Sequence, residues 1–129
     1  MLAQPKMPVP NRLVVVVVDD DPAVRNSLKF SLEIEGFTVR DYSSANELLN
    51  EPDIADAGCL IIDYHLPQMN GLEMLNRLRE RRVAAPAILI TSHPSASVRQ
   101  RAADAGVRIV EKPLLGDALV EGVRNAFAV

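Results

Sequence analysis

Residues 13–22 read Leu-Val-Val-Val-Val-Val-Asp-Asp-Asp-Pro, an unbroken apolar run that ends in three carboxylates and a proline. Apolar runs of this length, rich in β-branched residues, are typical of a strand that is buried on both faces of a parallel sheet. Asp21 stands at the position of a helix N-cap, because Pro22 is favoured in the first turn of a helix. The stretch therefore predicts a central strand over residues 13–18, then an acidic loop and a helix.

Four further apolar runs follow along the chain and alternate with amphipathic stretches. The runs are short enough to be strands and cover residues 37–40, 59–62, 87–90 and 107–110. Helical spacing, caps and terminal glycines predict helices over residues 22–35, 71–81, 95–105 and 115–128, with a short one after a capping box at residues 44–47. This strict alternation predicts an α/β fold, with a doubly wound five-stranded parallel sheet covered on both faces by five helices.

The predicted core is aliphatic. The chain of 129 residues is about the size of one domain, and only five of its residues are Phe or Tyr. The first predicted helix carries Val24, Leu28, Leu32 and Ile34 near helical spacing, so we expect this stripe to pack against the sheet. Cys59 opens an apolar run, which favours a small buried side chain over a reactive thiol or a metal ligand.

Charge and hydropathy exclude several classes of function. The net charge of -3 and the pI near 5.3 provide no field that would hold a nucleic-acid backbone, so direct nucleic-acid binding is not expected. No stretch approaches the roughly 20 apolar residues of a membrane span. Residues 1–11 contain three prolines where a signal peptide would need an apolar core. We therefore expect a flexible leader over residues 1–11, a domain over residues 12–129 and a cytoplasmic location.

Polar groups follow four of the predicted strands. Carboxylates end the first and third strands at Asp19–Asp21 and Asp63, a hydroxyl ends the fourth at Thr91, and an ammonium follows the fifth at Lys112. The carboxyl ends of parallel strands meet at one edge of the sheet, where α/β proteins carry their sites. Carboxylates brought together there need a cation, and hard oxygen ligands favour Mg²⁺ over zinc or copper. This set suits phosphoryl transfer, in which a carboxylate acts as the nucleophile.

Four motifs in this order resemble the CheY-like receiver domain of two-component response regulators. Residues 17–22, 62–67, 89–92 and 111–113 read Val-Val-Asp-Asp-Asp-Pro, Ile-Asp-Tyr-His-Leu-Pro, Leu-Ile-Thr-Ser and Glu-Lys-Pro. The resemblance spans residues 13–128. It implies a flavodoxin-like fold with strand order 2-1-3-4-5, and a signalling domain that catalyses only its own phosphotransfer and dephosphorylation.

The resemblance also implies a role for each site residue. Asp63 is then the phosphoacceptor, and its partner is a histidine kinase or a phosphotransfer protein. Asp19 and Asp20 are implied to hold Mg²⁺ together with Asp63 and the backbone carbonyl of His65. Thr91 and Lys112 are implied to bind the acylphosphate, so that phosphorylation changes the conformation.

The chain departs from the receiver pattern at three places around this site. Receivers usually carry a switch aromatic three residues before the lysine, and this position is Ile109 here. Leu114 stands where Phe is frequent, and a His93-Pro94 pair follows the hydroxyl strand, where proline stiffens the loop. The usual rotamer switch of the aromatic ring is therefore not expected.

Two other functions use similar chemistry. A phosphatase with an aspartate nucleophile uses the same carboxylate, hydroxyl and lysine. Such enzymes, however, carry an acidic residue two positions after the nucleophile, where this chain has His65. A receiver fold used as a constitutive binding module usually lacks an acidic residue or the lysine, and none of these is lost here.

The sequence leaves open the cognate kinase, the output, the phosphorylation lifetime, and whether residues 12–129 act alone or within a longer regulator.

The resemblance also implies a surface for self-association. Residues 43–49 and 111–114 are similar to receivers that precede helix-turn-helix outputs, including the FixJ-like group. Receivers that resemble this chain commonly associate through the face made by the fourth helix, fifth strand and fifth helix. Arg99 and Arg101 lie in the predicted fourth helix, while Asp117 and Glu121 lie in the fifth. We therefore expect a weak homodimer that phosphorylation strengthens.

Overall fold

The computed structural model describes residues 14–52, 54, 57–114 and 117–127. The leader expected over residues 1–11 and the domain start at residue 12 lie outside this range. So do residue 13 of the first predicted strand and residues 115, 116 and 128 of the last predicted helix.

Five strands and five helices alternate along the described residues. The strands are β1 (Val14–Val18), β2 (Thr38–Tyr42), β3 (Cys59–Asp63), β4 (Ala87–Thr91) and β5 (Arg108–Glu111). The helices are α1 (Pro22–Ile34), α2 (Ala45–Leu49), α3 (Gly71–Glu80), α4 (Ala96–Asp104) and α5 (Ala118–Phe127). All neighbouring strands are parallel, in the order β2-β1-β3-β4-β5. The predicted fold class and strand order are confirmed.

The three inner strands of the sheet, β1, β3 and β4, are buried on both faces. All five valines of β1 are buried, and two apolar clusters lie on opposite sides of this strand. One contains Val16 and Leu60 with the apolar side of α3, and the other contains Val15 and Ile61 with the apolar side of α1. Cys59 is fully buried among the second cluster, as predicted for a small core side chain. Two covered faces explain why the inner strands β1, β3 and β4 are almost entirely apolar, whereas the edge strands β2 and β5 carry charged residues.

The largest error in the predicted strand boundaries concerns β2. The prediction covered residues 37–40, whereas the strand runs from Thr38 to Tyr42. Gly36 has a φ of 96° in the turn that ends α1, which delays the strand by one residue. The strand then continues through Asp41, whose carboxylate forms ion pairs with Arg25 and Lys29. The third and fourth strands extend by one residue, to Asp63 and Thr91, and the fifth is shifted by one residue, to Arg108–Glu111.

The stripe expected on the first helix is only partly correct. Leu28 and Leu32 are buried, and Val24 packs against the core, but Ile34 is 67% exposed. Two residues span about 200° around a helix of 3.6 residues per turn, so Ile34 lies on the side opposite to Leu32. Phe30 is exposed on the same outer side.

Helix caps anchor the loops that follow the strands. Asp21 caps α1 by accepting a hydrogen bond from Ala23 N, as predicted. Ser44 caps α2 by accepting from Glu47 N, although the Glu47 carboxylate returns to Ser43 N at 3.2 Å and not to the cap residue itself. Within the described ranges, no helix combines the length and apolar character that crossing a membrane requires.

Candidate functional site

Four strands end at the same edge of the sheet and bring the predicted polar residues there. Asp63 and Thr91 are the last residues of β3 and β4, while Asp19 and Lys112 directly follow β1 and β5. Lys112 N donates to the carbonyl of Thr91 at 2.8 Å, so the ends of β4 and β5 are joined by their backbones. The parallel topology therefore produces the cluster that the sequence predicted.

Three carboxylates converge at this edge. One oxygen each of Asp19, Asp20 and Asp63 lies within 4.8 Å of the others. Asp19 and Asp63 are buried, whereas Asp20 is exposed. Charges of the same sign at this separation repel one another, and burial strengthens the repulsion. Because Asp20 is the exposed member, the cluster is open to solvent on the side of Asp20.

Asp19 is the most confined of the three carboxylates. Its Oδ1 accepts a hydrogen bond from Asp21 N at 2.9 Å, but the buried Oδ2 has no hydrogen-bond partner and makes only an ion pair with Lys112. Desolvation raises the pKa of Asp19 above its ordinary value of 3.8; the Asp21 amide opposes this, and the charge of Asp63 adds to it. An incompletely satisfied buried oxygen next to two further carboxylates fits a divalent cation.

Lys112 joins two of the carboxylates. Its Nζ lies 3.4 Å from Asp19 Oδ2 and 3.4 Å from Asp63 Oδ1. Burial disfavours its ammonium form, but the charges of Asp63 and Asp19 outweigh burial and raise the pKa of Lys112 above 10.5. The lysine therefore stays charged near neutral pH and offsets part of the negative charge.

Thr91 and His65 are the other two predicted site residues, and they differ in whether they contact the carboxylates. Thr91 is buried, and its hydroxyl donates to the carbonyl of Ser92 at 3.4 Å, a long bond that a better acceptor would replace. His65 N donates to Asp63 Oδ1 at 3.2 Å, which places the His65 peptide beside that carboxylate, while its ring is exposed. The structure thus brings Asp19, Asp20, Asp63 and Lys112 into one cluster, and Thr91 lies at the same edge.

The positions that depart from the receiver pattern lie around this cluster. Ile109 is partly buried and packs against the first core cluster. His93 adopts a φ of 47° directly after Ser92, an uncommon conformation for a non-glycine residue. Leu114 packs against the second core cluster on the other face of the sheet.

Cys59 does not belong to the site. It begins β3, whereas the carboxylates lie beyond the opposite end of that strand. Burial raises the pKa of its thiol to about 12, so the thiolate form that binds metals is strongly disfavoured. Its prediction as a core residue agrees with these observations.

Three residues near the site were not identified from the sequence. Arg25 and Asp41 form an ion pair that reaches the backbone of Asp19, and Gly71 packs against the backbone carbonyl of Asp63. An acidic residue directly after the strand predicted over residues 37–40 was an available signal for Asp41. No comparable signal marks Gly71, which the sequence showed only as the start of a helix.

Comparison with known proteins agrees with this geometry. Residues 15–124 match the family described as the response regulator receiver domain. The transcriptional regulatory protein FixJ of Rhizobium meliloti (strain 1021) is 36% identical over 114 residues, which cover 87% of this chain and 55% of that protein. The response regulator protein TodT of Pseudomonas putida is 33% identical over 115 residues, which cover 88% and 51%. The chain thus spans about half the length of these relatives.

Solved structures show the same similarity. The crystal structure of FixJ-N superposes with a TM-score of 0.78 at 34% identity and covers 88% of this chain and 92% of that one. The response regulator StyR superposes with a TM-score of 0.80 at 31% identity and covers 88% and 58%. With the fold, the strand order and these matches in agreement, the chain belongs to the response regulator receiver domain family of two-component systems.

Proposed function

We propose that this domain accepts a phosphoryl group on Asp63 from a phosphohistidine of a histidine kinase or phosphotransfer protein, in a Mg²⁺-dependent reaction in the cytoplasm. The observation that carries the proposal is the position of Asp63. Its carboxylate lies at the end of β3, 3.4 Å from the Lys112 ammonium and next to the carboxylates of Asp19 and Asp20. A nucleophile, a cation and a set of metal-binding oxygens are thus combined at one point.

In the proposed reaction, a carboxylate oxygen of Asp63 attacks phosphorus. The new P–O bond forms as the P–N bond of the phosphohistidine breaks, and the leaving imidazole keeps the electron pair and gains a proton. Asp19, Asp20, Asp63 and the carbonyl of His65 would hold Mg²⁺, which neutralises charge on the phosphoryl oxygens. Lys112 adds a second positive charge at Asp63, and the Thr91 hydroxyl donates to a phosphoryl oxygen.

We propose that the signal leaves the site through the ends of β4 and β5. The long bond from the Thr91 hydroxyl to the Ser92 carbonyl is exchanged for one to the phosphoryl group, which displaces the loop before α4. Lys112 takes part because its ammonium lies 3.4 Å from Asp63 Oδ1 while its backbone N–H donates to the carbonyl of Thr91, so a movement of its side chain toward the phosphoryl group reaches the end of β4. Ile109 has no hydroxyl or ring to reorient, so the displacement of this loop carries the change.

A groove between α1 and α5 supports docking of a protein donor. It has a volume of about 620 Å³ and borders Lys112. Small side chains of α1, Ser27 and Ser31, form one wall, and Leu119 and Val120 of α5 contribute to the other. A donor helix that packs into this groove would lie beside the carboxyl edge, where its phosphohistidine must approach Asp63.

Intact-mass spectrometry tests the central proposal. The native protein with Mg²⁺ and a small acyl phosphate donor is expected to gain one phosphoryl adduct. Asp63→Ala should gain none, while Asp104→Ala, a matched change on the exposed end of α4, should behave as native. An undiminished adduct on Asp63→Ala would remove Asp63 from the role of acceptor. Continuous turnover of a phosphomonoester would instead favour a phosphatase.

The metal has a separate test. Mg²⁺ should raise the melting temperature of the native protein by ligand linkage, because it relieves repulsion among the three carboxylates. Asp20→Ala should raise the Mg²⁺ concentration needed for phosphorylation by about tenfold or more, since loss of a residue that only orients a metal ligand already costs about 10- to 100-fold in affinity. An unchanged requirement, or a preference for Zn²⁺ over Mg²⁺, would contradict the assignment.

Two serine-to-arginine substitutions distinguish docking of the protein donor from the phosphoryl-transfer step itself. Ser27→Arg places a long side chain in the groove, so it should slow transfer from a phosphorylated kinase but not from a small phosphodonor. Ser97→Arg on the exposed side of α4 is the control and should affect neither reaction. Equal rates from the kinase to both variants would exclude the groove as the docking site.

A further inference from the structure

An ion pair fixes the backbone of the loop between β1 and α1, which carries Asp19 and Asp20. The Arg25 guanidinium donates from Nη1 to the backbone carbonyl of Asp19 at 2.8 Å and from Nε to Asp41 Oδ2 at 3.1 Å. The side chains of Arg25 and Asp41 are only 17% and 26% exposed, so water screens this pair weakly. Arg25 therefore connects α1, β2 and the acidic loop.

Asp19, whose backbone carbonyl binds Arg25, is also held by β2 through its backbone N–H. Asp19 N donates to the carbonyl of Tyr42 at 3.2 Å, which continues the pairing of β1 with β2. The carbonyl that Arg25 binds belongs to the peptide that joins Asp19 to Asp20. Because a peptide unit is planar, the direction of this carbonyl determines where the Cα of Asp20 lies.

We propose that Arg25, held in place by Asp41, is a positioning residue for the Mg²⁺ site. It orients the peptide between Asp19 and Asp20 so that both carboxylates face Asp63 before the metal binds. This inference rests on the proposed Mg²⁺-dependent function. A loop that adopts the binding orientation only part of the time has an apparent affinity for Mg²⁺ that is lower in proportion to that fraction. Loss of Arg25 therefore weakens Mg²⁺ binding without removing a metal ligand.

The chain offers a matched control for this role. Arg79 is also half-buried, and its guanidinium also donates to backbone carbonyls, those of Val83 and Ala85 at 2.8 and 2.7 Å. These carbonyls precede β4, at the edge of the sheet opposite to the carboxylates. Loss of Arg79 therefore removes a comparable structural bond far from the site.

Calorimetric titration of the full chain with Mg²⁺ alone tests the proposal. Arg25→Met should weaken Mg²⁺ affinity by about tenfold, the lower end of the range for residues that orient metal ligands. Arg79→Met should leave the affinity unchanged, even if urea unfolding shows that it loses as much stability. Lys29 Nζ lies 3.7 Å from Asp41 Oδ1, so Asp41 keeps a cationic partner in Arg25→Met and folding is expected to persist.

Two further measurements separate positioning from a general structural effect. At saturating Mg²⁺, phosphorylation of Arg25→Met by a small phosphodonor should return to the native rate, because the metal then selects the ordered loop. Asp41→Asn should weaken Mg²⁺ affinity in the native background but not in Arg25→Met, because Asp41 acts through Arg25.

The possible results have distinct meanings. If the native protein binds Mg²⁺ and Arg25→Met binds it equally well, the inference alone is overturned. Equal losses of affinity in Arg25→Met and Arg79→Met would also overturn it, in favour of general destabilisation. If the native protein binds no Mg²⁺, the metal-dependent part of the proposed function fails, and the inference fails with it.

Discussion

Gly71 lies so close to Asp63 that a Cβ added to it would stand 2.7 Å from the backbone carbonyl oxygen of Asp63. The same Cβ would meet Leu89 Cδ1 at 2.8 Å, so both an immobile backbone atom and a core side chain oppose it. Gly71 N also donates to the carbonyl of Tyr64 at 2.9 Å. The first turn of α3 is therefore seated directly on the strand end that carries the acceptor.

We expect Gly71→Ala to lower the free energy of unfolding by about 1 to 3 kcal/mol, the usual cost of overpacking a core. Because the clash involves the backbone of Asp63, phosphorylation should also slow. Gly122→Ala is the control. Its added Cβ would meet only the flexible end of Ile88, at 3.0 Å, and alanine has a higher helix propensity than glycine, so we expect a smaller loss of stability. Urea unfolding measures both variants, and a Gly71→Ala protein as stable as native would contradict the packing described.

Lys112→Met should destabilise the protein in the absence of Mg²⁺, since Asp19 and Asp63 would then face each other without the ammonium. Breaking a fully buried pair costs about 3 to 5 kcal/mol, and we expect less here because Lys112 is partly exposed. Mg²⁺ should restore more stability to this variant than to the native protein. Lys29→Met, at the more exposed pair with Asp41, should have a smaller effect.

The same variant tests the proposed transmission of the signal. Lys112→Met should still accept some phosphate but lose the phosphorylation-induced shifts of amide NMR signals over residues 92–106. Full-sized shifts in this variant would show that the signal passes the end of β4 without Lys112.

Removal of the charge of Asp19 should stabilise the metal-free protein at neutral pH. Desolvation raises the pKa of Asp19, so its ionised form opposes folding above that pKa, and the cost disappears as the pH falls through it. We expect Asp19→Asn to be more stable than native at pH 7 in a chelator, and the difference to vanish on acidification toward the ordinary pKa of 3.8. Urea unfolding across this range checks the sign, and a less stable Asp19→Asn at pH 7 would reverse it.

Much of the site could be predicted because each residue is marked locally. Asp63 and Thr91 end apolar runs, and the parallel topology brings such ends together whatever the details of packing. Arg25 illustrates the limit, since its partner Asp41 is 16 residues away and the contact depends on how α1 lies on β2. The exposure of Ile34 was missed for a simpler reason, because a residue two positions after a buried one cannot share its face of a helix.

The surface expected to form a dimer is already partly engaged within one chain. Arg99 of α4 forms an ion pair with Glu111 of β5, so Arg101 is the better candidate for pairing with Asp117 or Glu121 of a second copy. We expect a beryllofluoride phosphate mimic to strengthen self-association by about 1 to 3 kcal/mol, the usual range of coupling between sites. Sedimentation across a wide concentration range measures this.

Charge reversal tests the surface itself. Arg101→Glu should weaken the dimer, while Arg77→Glu, on the exposed side of α3, should not. An unchanged monomer fraction with and without the phosphate mimic would exclude phosphorylation-dependent dimerisation.

Because β1 consists of five valines, its side chains do not determine its register. A slip of one residue against β2 and β3 would replace valine with valine at every position but one, on both buried faces. In most strands such a slip would place polar side chains in the core in exchange for apolar ones, which is energetically unfavourable. Here the alignment depends on what lies beyond the strand: the bond from Gly58 N to the carbonyl of Val14 at one end, and the contacts of Asp19 with Tyr42 and Lys112 at the other. Asp19 thus also aligns the central strand, because a slip that moved it into the place of Val18 would bury its carboxylate inside the sheet, away from Lys112.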